Sequence, residues 1–282
     1  MSILRTFLLG LLLLAVLAAV VAHVVYRLDM RQARSASMVL AAPDAAAGTF
    51  DPAMLADLPE PARRYLAYSI APGTALSTTV ELRMEGTFAL GDRESHRIMP
   101  MIASQMLAPP HGFVWIPDIG SGLMRIWGSD GYTHGEAWTR FWVWGLIPVA
   151  RLSGTDNLAL SAAARSIMEA IWAPASLLPQ NGARWQAAGD DAAQVNFEVA
   201  GQELAMTLTL SEEGRPLTVS MMRWSDANPE GRFRWQPFGG TIEEMGAFGG
   251  YTIPTRIAVG NHFGTDDYFP FFRAEIVDAR YR

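Results

Sequence analysis

His134 and Glu136 stand two residues apart, with Asp130 shortly upstream. On a strand that spacing turns an imidazole and a carboxylate to one side, which suits acid–base work or an open metal site. Gly131 and Gly135 argue for a turn instead, with the polar side chains satisfying its backbone. Outside the apolar amino-terminal run the histidines are His96, His111, His134 and His262, and no two have the i, i+4 spacing that sets a pair of zinc ligands on one helical face. Gly120-Ser121-Gly122 lacks the outer glycines of a nucleophile elbow and reads as a loop. Asp266-Asp267 is not surrounded by the series of oxygens that calcium takes, and neither Gly239-Gly240 nor Gly249-Gly250 precedes an expected helix that would hold phosphate. The sequence therefore assigns no catalytic residue, no metal ligand and no cofactor. The segment from Asp130 to Glu136 is kept as the place where a hydrolase would work.

A second charged constellation is better formed. Arg165 and Glu169 lie four apart on an expected helix from Asp156 to Ala173, on the same side as Trp172. These three residues read as a seam that docks the helix, an ion pair over an aromatic ring. Composition limits the other options. All 22 basic residues are arginine and there is no cysteine, which excludes a P-loop lysine, a Schiff base, a thiol nucleophile, thiolate metal sites, disulfides and a lipidated cysteine. Past residue 34, 18 arginines stand against 27 carboxylates, so nucleic acid is excluded as a partner.

The elements that must carry these residues begin with an apolar run. From Thr6 to Tyr26 there is no charged residue, and a helix of roughly 20 residues crosses a bilayer core. Residues 1–34 are expected to form a single-pass transmembrane anchor and its flank, residues 35–50 a flexible tether, and residues 51–282 a single β-rich domain. A cleaved signal peptide is the alternative, with Arg5 as its charged region and Val20-Val21-Ala22 as its cleavage site, but the apolar run is longer than such regions usually are. Arg27, Arg31 and Arg34 follow the span and by themselves would hold the domain in the cytoplasm. Long domains translocate largely regardless of such charge, so a cell-membrane protein with an extracytoplasmic domain is expected.

Within the domain a short helix is expected over Ala62–Ile70, and thereafter the apolar period becomes two. Val80, Leu82 and Met84 alternate with charges, as do Val195, Phe197 and Val199, then Leu204, Met206, Leu208 and Leu210, then Leu217, Val219 and Met221. Glu212-Glu213-Gly214-Arg215 reads as a hairpin turn. Phe141–Leu146 is expected to be one strand, with Trp142 and Trp144 on one face and Phe141 and Val143 on the other. The fold class is mostly β (α+β), a curved antiparallel sheet or half-barrel with one main helix after the transmembrane helix. Two helices cannot cover a sheet of about ten strands, each about 4.8 Å from the next. The remaining apolar face must be hidden by curvature, closure, a sandwich, or an apolar ligand. Met84, Met206 and Met221, with Met99 and Met101 nearby, offer a flexible lining, and Trp142 and Trp144 a lip.

Leu58-Pro59 with Arg64-Tyr65-Leu66, Gly112-Phe113-Val114-Trp115, Gly128-x-Asp130-x-Tyr132-x-x-Gly135, Arg165-x-x-x-Glu169-x-x-Trp172-x-Pro174, Leu177-Leu178-Pro179, Trp185 and Gly250-Tyr251-x-Ile253-Pro254-Thr255 together span Leu58 to Tyr281. In these the chain resembles an uncharacterised bacterial family that has an N-terminal membrane helix and a domain of unknown function. That resemblance implies no reaction and carries no catalytic residue across. From Leu204 to Tyr281, a Gly-turn hairpin, an aromatic strand, Gly-x-x-Ile-Pro and a last strand are similar to the end of lipoprotein-sorting half-barrels, which implies shelter for an acyl chain. Those proteins are often soluble or lipid-anchored, whereas here a spanning helix is expected. The leading expectation is thus a membrane-tethered domain that binds a lipid or other hydrophobic ligand in the concave face. The alternatives are a ligand-free structural or protein-interaction module, its protein partner unknown, and the hydrolase.

Overall fold

The computed structural model describes residues 2–42 and 48–282. Its first element is a single helix, α1 (Ser2–Leu40), whose amino-terminal part is long and apolar enough to cross a membrane. The expected tether therefore begins later than its composition implies, because Ser35–Leu40 is helical. The cause is packing: Met30, Ala33 and Leu40 are buried on a stripe of α1 that lies against β-strands of the domain. The middle of the expected tether, 43–47, lies outside the described residues. Beyond that segment Thr49 bridges Ala75.

The sheet has thirteen strands, built in two runs. The first runs through β1 (Val80–Gly91), β2 (His96–Ala108), β3 (Gly112–Ser121), β4 (Met124–Thr133), β5 (Glu136–Val143) and β6 (Ile147–Ser153). The second runs through β7 (Arg184–Ala187), β8 (Ala192–Val199), β9 (Gln202–Leu210), β10 (Pro216–Ser225), β11 (Arg234–Phe248), β12 (Tyr251–Asn261) and β13 (Phe269–Tyr281). Neighbouring strands are antiparallel, and β13 pairs with β1 to join the runs, which leaves β6 and β7 as edges. At about 4.8 Å per strand a flat sheet would be roughly 60 Å wide, far beyond the reach of one short helix. It is curved instead. At Gly86 the backbone of β13 comes so close that a Cβ would stand 2.1 Å from the Arg273 carbonyl oxygen, so only glycine fits the crowded centre of β1.

The connection from β6 to β7 crosses the concave face and carries α3 (Asp156–Met168) with short 3-10 turns after it. Thr155 caps α3 by accepting from the Leu158 amide at 3.2 Å, so Asp156, the expected cap, is the first helical residue. Ala164, Ile167 and Met168 are buried on the sheet, where each large apolar side chain contributes roughly 1.5–3 kcal/mol. The other helix, α2 (Glu60–Ser69), sits at one end of the sheet. Its Arg64 donates to the carbonyls of Ser211 and Glu212 in the β9–β10 turn and of Asp190 in the β7–β8 turn, and ties the two turns together.

Two strand assignments change. Phe141–Leu146 is the end of β5 and then a turn, in which Trp144 and Gly145 take positive φ. Trp144 thus leaves the face it was expected to share with Trp142. Leu217 is exposed rather than inward, because the β9–β10 register slips between Pro216 and Thr218 and one extra residue reverses the alternation.

Candidate functional site

Odd-numbered residues of β5 and even-numbered residues of β4 face inward beneath α3, and between them and the helix lies a cavity of about 610 Å³. Its walls are almost wholly apolar: Phe88, Trp115, Ile126, Phe141 and Val143 on one side, and Val219, Phe238, Ile257, Val259 and Phe272 on the other, with Met168, Ile171 and Trp172 above. The size falls in the roughly 300–1,000 Å³ range of small-molecule sites.

The polar groups at the cavity form one network. Arg165 reaches down from α3, its Nη1 donating to Asp130 Oδ2 at 2.6 Å and its Nε to Glu169 Oε1 at 2.7 Å. Asp130 Oδ1 accepts from Thr139 Oγ1, its partner across the β4–β5 pair, and Glu169 Oε2 accepts from Gln105 Nε2, both at 2.6 Å. The guanidinium lies 4.3 Å from the ring centre of Phe113 and 5.3 Å from that of Trp115. Burial works to lower its pKa, but the Glu169 and Asp130 carboxylates outweigh burial and hold it above the ordinary arginine value. Trp115 Nε1 is buried in the wall without a partner.

A second guanidinium, Arg223 of β10, lines the same space over the Phe238 ring at 4.8 Å, and its Nε donates to the Ser161 carbonyl at 3.3 Å. Burial, and after it the charge of Arg165, push its pKa down to about 10, so it stays cationic at neutral pH. With two guanidiniums and two carboxylates the floor is neutral in sum. Arg165 is shared by both carboxylates, whereas Arg223 bonds only a backbone carbonyl.

Of the three residues read as a helix seam, two stand together and the third is elsewhere. Arg165 and Glu169 pair as expected, over Phe113 and Trp115, while Trp172 donates its Nε1 proton to the Pro254 carbonyl at 3.0 Å. The expected methionine lining lies elsewhere. Met84, Met206 and Met221 are buried in the core, Met221 also bordering a separate, more polar pocket with Met222 and Trp235, and the walls of the cavity beneath α3 are other residues. Trp142 is buried on the outer face of β5, its ring against Tyr26 of α1 and its Nε1 donating to Asp29, and Trp144 stands 42% exposed in the β5–β6 turn. The hydrolase residues do not converge. Asp130 is inside with Arg165, while His134 and Glu136 are exposed at the β4–β5 turn, and among the described residues no metal-holding group forms.

Reasoning from the sequence did not single out Arg223, Thr139, Gln105 or Asp29. A signal for Arg223 was present, since it continues the inward register of Val219 and Met221 and is a charge where alternation demands an apolar residue.

The model of a family described as a family of unknown function (DUF6544) matches residues 48–274. Among curated proteins none matches. Solved structures give likenesses of low identity. A LolA-superfamily protein from Nitrosomonas europaea is 11% identical over 79% of this chain and 92% of its own, with a TM-score of 0.38. A putative outer membrane lipoprotein-sorting protein domain from Vibrio parahaemolyticus is 11% identical over 72% and 85%, with a TM-score of 0.33. A DUF1329 family protein from Desulfovibrio piger is 10% identical over 73% and 86%, with a TM-score of 0.31.

Proposed function

We propose that this chain, which belongs to the DUF6544 family of unknown function, is a membrane-tethered domain that binds a lipid or other hydrophobic ligand between α3 and the concave face of the sheet. The observation that carries this reading is the cavity of about 610 Å³, walled by aromatic and aliphatic side chains. Walls of that kind hold water poorly and favour an apolar occupant, with the few polar groups confined to one part of the space. Arg223 provides for the polar end of an amphiphile. The site neither selects strongly for charge nor assembles a nucleophile with a base, so binding rather than reaction is the reading the geometry supports. In this reading α1 is a single-pass anchor and the domain lies outside the cytoplasm, which a reporter fused after Arg282 and active only outside tests directly.

The ligand is tested with the full chain in lipid nanodiscs, using a fatty acid that carries a photoactivatable diazirine near its methyl end. Cross-links are expected in β5, β12 and β13, and filling the cavity with Val219→Phe and Ile257→Phe is expected to remove them while leaving those in the apolar part of α1. Protease resistance of the filled variant shows whether it folds, and Val219→Phe alone is the milder form. Cross-links confined to α1, or undiminished in a folded filled variant, overturn the proposal.

A further inference from the structure

The direction of α1 across the domain decides which end of the sheet faces the anchor. Asp29 pairs with Arg151 of β6 and accepts from Trp142, Gln32 accepts from Arg140, and Leu40 is packed with Val114 and Trp138. Along β5 these contacts recede from the β5–β6 turn as the helix proceeds. Tyr26, the last residue of the uncharged run, meets that turn itself: its ring is 6.2 Å from Trp142, and a Cβ on Gly145 would come within 2.8 Å of it. Because α1 is one unbroken helix, the span before Tyr26 projects from the end of the sheet where the β3–β4 and β5–β6 turns lie.

The cavity opens at that same end. Leu90, Met124 and Val149 line it there and are 48%, 40% and 54% exposed. Beside them Leu123 is 84%, Ile147 57% and Trp144 42% exposed, a concentration of apolar surface that water does not favour. Arg27 directly follows Tyr26 and Arg31 comes about one turn later, and both are exposed, cations suited to anionic headgroups. The acidic turns at this end, with Asp92 and Glu94 and with Asp266 and Asp267, belong to β1–β2 and β12–β13, farther along the sheet from α1.

We propose that the open end of the cavity rests on the bilayer that holds α1, with the β3–β4 and β5–β6 turns immersed in its surface, so that ligand passes between bilayer and cavity without crossing water. This rests on the anchor and ligand readings above. The occupant of the exposed rim is the lipid surface itself, because the span and the rim are continuous through the contact of Tyr26 with Trp142.

The absence of cysteine makes the test clean. Leu12→Cys, Leu123→Cys, Ile147→Cys and Glu136→Cys are each labelled with an environment-sensitive fluorophore in the full chain. Each is reconstituted in phosphatidylcholine vesicles containing about one fifth phosphatidylglycerol, with nitroxide quenchers on the acyl chains. Labels at 12, 123 and 147 are expected to lose at least about half their emission, and the label at 136, at the far end of the sheet, to be unaffected. Quenching at 12 without quenching at 123 and 147 overturns the placement of the cavity mouth and leaves the anchor standing. No quenching at 12 overturns the anchor and this proposal together. Quenching at 12, 123 and 147 in a protein whose cavity takes no diazirine fatty acid supports the placement and separates it from the ligand reading, which alone would then fail.

Discussion

Strands β4 and β5 present two faces, and each is organised around one charge delivered by a helix. Inward, α3 brings Arg165 to Asp130 and Glu169, with Thr139, Phe141 and Val143 beside them. Outward, α1 brings Asp29, whose side chain is 6% exposed, to Arg140, Arg151 and the indole of Trp142. The two devices are alike in chemistry but differ in what surrounds them. Around Asp29 the face is filled by Tyr26, Met30 and Ala33, with Trp138 donating to Ser129 at 3.0 Å. Around Arg165 lies open space. A buried ion network offers little net stability, since desolvation offsets much of its attraction, but it fixes where a helix must sit. Here one network seals a helix to the sheet and the other holds a helix over a hollow.

The largest effect expected of any substitution in this pair of networks is that of Arg165→Met, which leaves two carboxylates buried without their cation. A loss of about 3–5 kcal/mol is expected from chemical denaturation of the full chain in micelles. Adding Asp130→Asn and Glu169→Gln should restore most of it, because the stranded charges then disappear. If the triple variant stays as unstable as the single one, the guanidinium acts mainly by packing on Phe113 and Trp115. On the outer face Asp29→Asn retains shape and removes one charge, and Arg151 is half exposed, so a smaller loss of roughly 1.5–3 kcal/mol is expected. Faster hydrogen exchange should appear in 29–40 and not in α3. Exchange that rises equally in both helices would show that the two faces are coupled rather than separate.

Much of this architecture was legible. Alternation marks which residues turn inward in β1, β8 and β9, and the i, i+4 pair on the helix reveals the seam. What period two does not report is what stands opposite an inward residue. Met84, Met206 and Met221 turn inward as their spacing says, yet they meet the packed core, while the hollow falls to Phe141, Val143 and Phe272, whose pattern is no different. That distinction depends on where α3 crosses, a property of the β6–β7 connection rather than of any strand. The docking of α1 was hidden for a similar reason. Asp29 follows an apolar span among three arginines and reads as part of a solvated flank, and its partners Arg140 and Arg151 lie more than a hundred residues away.

The difference in free space gives the next test. Val143→Phe adds bulk on the hollow side and should change stability by less than about 1 kcal/mol while reducing cavity cross-linking. Ser129→Leu adds bulk on the filled side, at a residue 0% exposed, and also takes the acceptor from Trp138 Nε1, so a loss of about 1–3 kcal/mol is expected. Equal losses would mean that the hollow side cannot use its space.

The smallest effect belongs to the exposed end of the outer face, where Arg125 pairs with Asp118 of β3, whose side chain is 32% exposed. The hydrogen bond from Arg125 is the main cause that holds the Asp118 carboxyl below its ordinary value, against a modest opposing effect of burial. A carboxyl lowered by folding contributes stability above its unfolded value of 3.8, and that contribution is lost as pH falls through the lower folded value. Solvent screening keeps it below about 1 kcal/mol. The difference in denaturation midpoint between the unaltered chain and Asp118→Asn should therefore be small and constant from about pH 5 to 7 and vanish in stronger acid. Should it instead match Asp29→Asn, charge burial on the outer face would extend to this end of the sheet, and the contrast between its two ion pairs would fall.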